Sequence, residues 1–268
     1  MDHPLKELNP GFREMILARL LACPVLFFLG LNFIPSVFGK PKLTLLIAER
    51  EYQTETTLPG FADQFLSKDF IIEYSTAPKE GTDRHHLLNP QAIERAELLF
   101  ISVRRRAFSN STMDSIRRHL SSGKPVIGIR TASHAFELRK ESPLKGHQQW
   151  PEWDQSVIGG NYQGHHGKGK VCLVNNLSSS SNHPILKKVN LPIRTPASLY
   201  RNSPLPKAST PVLIGTIPNH SPEPVAWTHI TPAGSRIFYT SLGHPQDFEN
   251  PNFNQLLRNA INWCLERN

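Results

Sequence analysis

The stretch Lys42–Thr76, "KLTLLIAEREYQTETTLPGFADQFLSKDFIIEYST", carries three segments of different pattern. "KLTLLIAE" (Lys42–Glu49) is an apolar run of strand length. "TLPGFADQFLSK" (Thr57–Lys68) reads as a helix, with Thr57 placed to cap it and Pro59 in its first turn. "FIIEYST" (Phe70–Thr76) returns to a strand. A strand, a helix and a second strand in direct succession form the unit that joins parallel strands, because the chain must cross the sheet before it can pair again.

The alternation continues outward from this unit. A short helix "NPQAIERA" (Asn89–Ala96) precedes a strand "ELLFISV" (Glu97–Val103). A helix over Ser111–Gly123, with Ser111 as cap and Gly123 at its end, precedes the strand Pro125–Ile129. Further strands are expected at Lys170–Asn176, Pro211–Ile217, Pro224–Ile230 and Ser235–Gly243. The tail Asn250–Arg267 is an amphipathic helix, with Phe253, Leu256, Leu257, Ala260, Ile261 and Cys264 on one face. The pattern predicts an α/β domain with a mostly parallel sheet and helices on both faces. No repeat or linker divides residues 42–267, which are read as one domain.

The chain has 268 residues, enough for a large core, and a formal net charge of +8. Its basic residues are scattered, and the one tight cluster is Arg104-Arg105-Arg106. No nucleic-acid motif accompanies them, so no nucleic-acid partner is expected. The three cysteines, Cys23, Cys172 and Cys264, include no CxxC, which excludes a thiolate zinc site. Cys172 and Cys264 are expected to be buried free thiols.

The first 39 residues read as an export signal. Arg19 precedes an apolar run within Met15–Lys40, and Val37 and Gly39 put small residues at the positions before a cut at Lys40. An uncleaved membrane anchor is the alternative. A secreted or periplasmic location follows from the first reading, and contact with a membrane only through this segment follows from the second.

In open parallel sheets, ligands collect beyond the carboxyl ends of the strands. Those ends lead into "EREYQTETT" (Glu49–Thr57, with Tyr52), "RRR" (Arg104–Arg106), "RTASHAF" (Arg130–Phe136) and "SLGHPQDF" (Ser241–Phe248). Soon after the third comes "WPEWDQSVIGGNYQGHHG" (Trp150–Gly167), too polar for a core and too aromatic for an ordinary loop. It is expected to wall the crevice. Aromatic faces, arginines, imidazoles and hydroxyls together suit a small carbohydrate ligand.

These segments also carry a family resemblance. "EREYQTETTLPGFA", "GIRTASHAFE", "WPEWDQSVIGGNYQGHH", "NHPI", "SLY", "PVAWTH" and "FYTSLGHPQDFENPNFNQLLRNAINW" occur in order across nearly all of Lys42–Arg267. Together they resemble the ThuA-like (trehalose-utilisation) family, most of all its secreted branch from sugar-degrading bacteria. The resemblance implies the flavodoxin-like, three-layer fold of class I glutamine amidotransferases. That superfamily has a nucleophilic cysteine at a strand-to-helix elbow and a late His-Pro-Glu motif. Here Arg130 falls near the elbow, and the late motif reads His244-Pro245-Gln246. A guanidinium has no neutral form near pH 7 and cannot act as the nucleophile. The cysteine–histidine route is therefore ruled out, and Ser133 lacks the G-x-S-x-G context of a serine nucleophile.

The leading expectation is action on a carbohydrate or a modified, keto-type sugar. His134 and His244 would transfer protons and Asp247 would orient or charge-balance His244. Arg104 and Arg130 would anchor oxygens, with Tyr52, Ser133, Trp153, Tyr162 and His165 completing the ligand contacts. No cofactor is expected. A non-catalytic carbohydrate-binding protein is one alternative. The other is a metal-dependent hydrolase with a divalent metal such as zinc among His134, His165, His166, His183 and His244, although no HExxH occurs.

Overall fold

The computed structural model describes residues 39–267 apart from Lys168. The expected signal or anchor and Cys23 lie outside the described residues. The described residues form eleven strands: β1 (Lys42–Ala48), β2 (Ile71–Thr76), β3 (Leu98–Val103), β4 (Phe108–Ser109), β5 (Val126–Ile129), β6 (His147–Gln148), β7 (Cys172–Asn176), β8 (Ile193–Thr195), β9 (Ser209–Thr216), β10 (Glu223–Ile230) and β11 (Arg236–Thr240). The α-helices are α1 (Thr54–Phe65), α2 (Ala92–Arg95), α3 (Asn110–Ser121) and α4 (Pro251–Cys264).

Nine strands form one sheet in the order β2-β1-β3-β5-β11-β10-β9-β7-β8, and β4 pairs with β6 in a separate ribbon. From β2 to β11 every pairing is parallel. From β11 to β8 every pairing is antiparallel. The parallel core is the one the strand–helix alternation predicts. The antiparallel extension follows from short connections: β10 returns to β11 through the turn at 231–235, and β9 passes to β10 over 217–222. A parallel crossover needs a dozen or more residues.

β1 shows how the layers form. Leu43, Leu45 and Ile47 enter one core with Leu58 and Phe61 of α1 and the apolar face of α4. Leu46 and Ala48 enter the other with Ile93, Met113, Ile116 and Trp153. The side-chain period of two thus places one apolar run in two cores, giving a sheet between two covering layers. All six residues expected on the buried face of α4 are buried.

Two helix starts differ from expectation. α1 begins at Thr54, and Thr57 lies inside it. The buried Glu49 carboxylate accepts the N–H groups of Tyr52 and Thr54 and the Thr54 hydroxyl, so the helix is capped from the end of β1. α3 is capped by Ser109, whose hydroxyl accepts the Thr112 N–H at 3.3 Å, and Ser111 sits in its first turn. Cys172 and Cys264 are free and buried.

Candidate functional site

The parallel strands end at one edge, and their loops meet there. Arg130, the first residue after β5, has φ of 52°, a left-handed conformation unusual for a side chain larger than glycine. It stands at a tight strand-to-turn elbow, continued by the 3-10 turn Arg130–His134. Arg130 is 1% exposed, and its guanidinium lies over the Tyr52 ring at 4.6 Å and the Tyr200 ring at 4.2 Å. One terminal nitrogen donates to the carbonyls of Ser198 and Ser241. The other donates to the Tyr52 hydroxyl at 3.2 Å, the Ser198 carbonyl at 3.1 Å and the Ser198 hydroxyl at 2.9 Å. The Tyr239 hydroxyl donates to the Arg130 carbonyl at 2.6 Å. Arg130 therefore ties the exits of β1 and β11 and the segment around Ser198 to its own elbow.

His134 follows on the same turn and is buried. Its ring stacks on Tyr162, with centroids 4.4 Å apart, and Tyr200 lies 4.7 Å from Tyr162. Ser133 Oγ sits 3.0 Å from His134 Nδ1. Burial, reinforced by the charges of Arg105, Arg104, Arg139 and Arg130, pushes the imidazole well below its usual range, so it is neutral at pH 7. Arg104 pairs with Glu51 at 2.9 Å, and the Arg105 N–H donates to the His134 carbonyl at 3.1 Å.

Beside His134 opens a cleft of about 290 Å³, near the small end of ligand pockets. Ser133, His134, Trp150, Asp154, Asn161 and Tyr162 are among the residues that line it. The Gly159-Gly160 pair turns the chain beneath it. Gly159 has φ of 67°, and a Cβ there would meet Ser209 Oγ at 2.3 Å. A Cβ on Gly160 would meet Asp154 Oδ1 at 2.4 Å. Burial raises the Asp154 carboxyl to about 7.

The expected residues divide by position. Tyr52, Arg130, Ser133, His134 and Tyr162 come together, and Arg104 adds its charge. Trp153 also borders the cleft but is only 1% exposed, packed edge-on against Phe136, with its indole N–H donated to the Ala132 carbonyl at 2.7 Å. His244 follows the β11 exit. Its Nδ1 accepts the Gln246 N–H at 3.3 Å, capping the turn that follows. Asp247 is buried, and its Oδ2 accepts the main-chain N–H groups of Gly243 and His244, so it holds His244 through the backbone rather than through the ring. His165 is exposed and bridges to Tyr200 through the main chain. His166 turns away to Glu223 at 3.1 Å. Among the described residues, no three His, Cys, Asp or Glu side chains converge as metal ligands.

Three contributors were not singled out as site residues from sequence: Ser198 and Tyr200 within "ASLY", and Asp154. Their signal was position alone, "SLY" as one short fragment of the family resemblance and Asp154 between an aromatic pair and Gly-Gly. Glu49, which fixes the Tyr52 loop, was likewise visible only as a polar residue at a strand end.

The family model described as ThuA, trehalose utilisation, matches residues 48–264. Two solved ThuA-like proteins are similar in structure. The one from Bacteroides uniformis has TM-score 0.61 at 16% identity, covering 86% of this chain and 94% of its own. The one from Parabacteroides merdae has TM-score 0.62 at 16% identity, covering 85% and 91%. A glutamine amidotransferase from Methylobacillus flagellatus aligns with TM-score 0.39 at 13% identity over 85% and 75%, too distant to carry an argument. No curated protein sequence matches the chain significantly.

Proposed function

This chain belongs to the ThuA family, and from that premise we propose that it binds a carbohydrate or keto-type sugar at the rim around Arg130 and His134 and moves protons on it. The observation that carries this reading is the cleft beside the elbow, where Tyr162 and Trp150 supply ring faces and Ser133, His134, Asp154 and Asn161 supply hydrogen-bonding groups. Rings cover the apolar faces of a sugar, and the polar groups fix its hydroxyls. A neutral imidazole is the form that can accept a proton.

Glutaminase chemistry is not part of the proposal. The elbow holds Arg130, and Cys172 and Cys264 are in the core. Burial pushes the Cys172 thiol up to about 11 and the Cys264 thiol higher still, so neither supplies a thiolate near pH 7. Export belongs to the proposal as well, supported by the apolar run and small-residue cut site read in the first 39 residues.

A thermal-shift screen against disaccharides and their oxidised forms tests this reading. A true ligand at 100 times its Kd adds about 2.7 kcal/mol of apparent stability. His134→Gln should keep much of the shift while abolishing turnover. A loss of affinity alone, with no turnover to lose, would favour the binding-protein alternative. A panel in which no sugar shifts the wild type sinks the proposal.

A further inference from the structure

Two segments that carry the family resemblance play no part in the rim. "NHPI" (Asn182–Ile185) and the end of the last segment, Asn259–Trp263, meet at the opposite end of the sheet, where β11 begins at Arg236 before running to the rim. His183 caps the short turn Pro184–Leu186, its Nδ1 accepting the Ile185 N–H at 3.2 Å, and its ring stands 5.9 Å from that of Trp263. The Asn259 amide donates to the carbonyls of Ile185 at 2.9 Å and Lys187 at 2.7 Å, and Gln255 braces its oxygen at 2.7 Å. Helix α4 thus clamps the turn. The chain leaves it through Lys188 at φ of 59°, a left-handed conformation that costs energy for a side chain of this size.

Between the clamped turn and the last turns of α4 lies a groove of about 340 Å³, bordered by Lys187, Lys188, Arg236, Asn262, Trp263 and Arg267. Glu266 is the one carboxylate in its lining, and it pairs with Arg236 at 2.7 Å. Arg236 also donates to the Trp263 carbonyl at 2.9 Å and lies over the Trp263 ring at 5.0 Å. Lys187, Lys188 and Arg267 meet no carboxylate among the described residues. The Asn262 amide and the Trp263 indole N–H likewise meet no protein acceptor there. Cations at a helix C-terminus offset its dipole, but that effect fades within the last turn. It covers Arg236 and Arg267 and does not reach the lysine pair, held at Asn259. Arg267 also borders a neighbouring hollow, where Asp69 and Glu97 balance Lys40 and Lys68, so the excess positive charge is confined to the groove.

We infer that this groove binds a short acidic saccharide. Its carboxylate or sulfate ester would lie among Lys187, Lys188 and Arg267, its ring against Trp263 and its hydroxyls on Asn262 and the indole N–H. A neutral sugar would leave the three cations unmatched, and a bare anion would leave the indole and the amide unused. Charge-assisted hydrogen bonds fix the acid, and an aromatic edge fits the apolar side of a sugar. The groove lies apart from the rim, so this inference does not depend on the reading given for Arg130 and His134.

Titration calorimetry of the full protein at low salt tests it, with digalacturonate and glucose 6-sulfate as probes and galactobiose, sodium sulfate and phosphatidylglycerol vesicles as controls. The expected result is that one of the two acidic sugars binds at least about 10-fold more tightly than galactobiose and weakens as salt is added. That sugar also identifies the acid. The double variant Lys187→Gln/Lys188→Gln, which changes only exposed side chains, should lose about 10-fold in affinity and flatten the salt dependence. Trp263→Phe should lose the fluorescence change that the sugar produces in the wild type. Equal binding of galactobiose, of sulfate alone or of the vesicles overturns the inference, as does acidic-sugar binding that the double variant leaves intact. Neutral sugars at the rim are untouched by the lysine changes, so the two readings fail separately.

Discussion

Arg130 and Asp154 are buried ionisable groups in adjoining parts of the same rim, and they are built in opposite ways. Arg130 has both terminal nitrogens occupied by protein oxygens from three separate segments and aromatic rings on either side. Its charge is already solvated by the fold, so it serves to hold loops together. Asp154 has one oxygen on the Tyr162 N–H and the other buried against Gly160 with no hydrogen-bond partner among the described residues. The contrast separates a charge that the fold satisfies from a carboxyl that burial keeps protonated.

The largest effect expected from breaking this contrast is at the framework. Arg130→Met should cost about 3–5 kcal/mol in denaturant unfolding, because it strands the buried carbonyls of Ser198 and Ser241 and frees three loops. A loss under about 1 kcal/mol would mean the loops are held by other contacts.

Asp154→Asn should act in the other direction and depend on pH. The folded carboxyl, at about 7, lies above its ordinary value of 3.8. The folded state therefore holds an extra proton between those values, and wild-type stability falls as pH rises through that window. The variant cannot ionise and escapes that loss. It should match the wild type or fall slightly below it under acid conditions and exceed it by about 2–3 kcal/mol above pH 7, somewhat short of the full shift because the new amide N–H is itself unpartnered. Thermal unfolding at both pH extremes checks this, and a difference independent of pH would contradict it.

Much of the framework was legible in the sequence. The apolar runs of β1, β2, β3 and β5, separated by helical patterns, dictate parallel pairing, and parallel pairing brings their exits to one edge. That was enough to bring Tyr52, Arg130 and His134 together from distant positions. The antiparallel half was harder to read, since β8 is only three residues long and its neighbours give no sign of direction. Partnering was illegible for a different reason. Whether Trp153 faces a ligand or the core depends on which side of a turn faces the sheet, and the π-helical turn after it points its indole inward to Ala132. Asp154 lies on that same turn with Oδ1 against Gly160, a contact that only the path of Gly159 and Gly160 fixes.

The central claim is that one ligand touches the cleft between Trp150, Asp154 and Tyr162 and the elbow bearing His134. Amide and side-chain NMR shift mapping, with the strongest sugar from the thermal screen, addresses it most directly. The account predicts that the largest changes fall on Ser133, His134, Trp150, Asp154 and Tyr162, with smaller ones at Tyr52 and Tyr200. Changes centred instead on the groove of Lys170, Val171, Arg194 and Ile217, at the antiparallel end of the sheet, would contradict it.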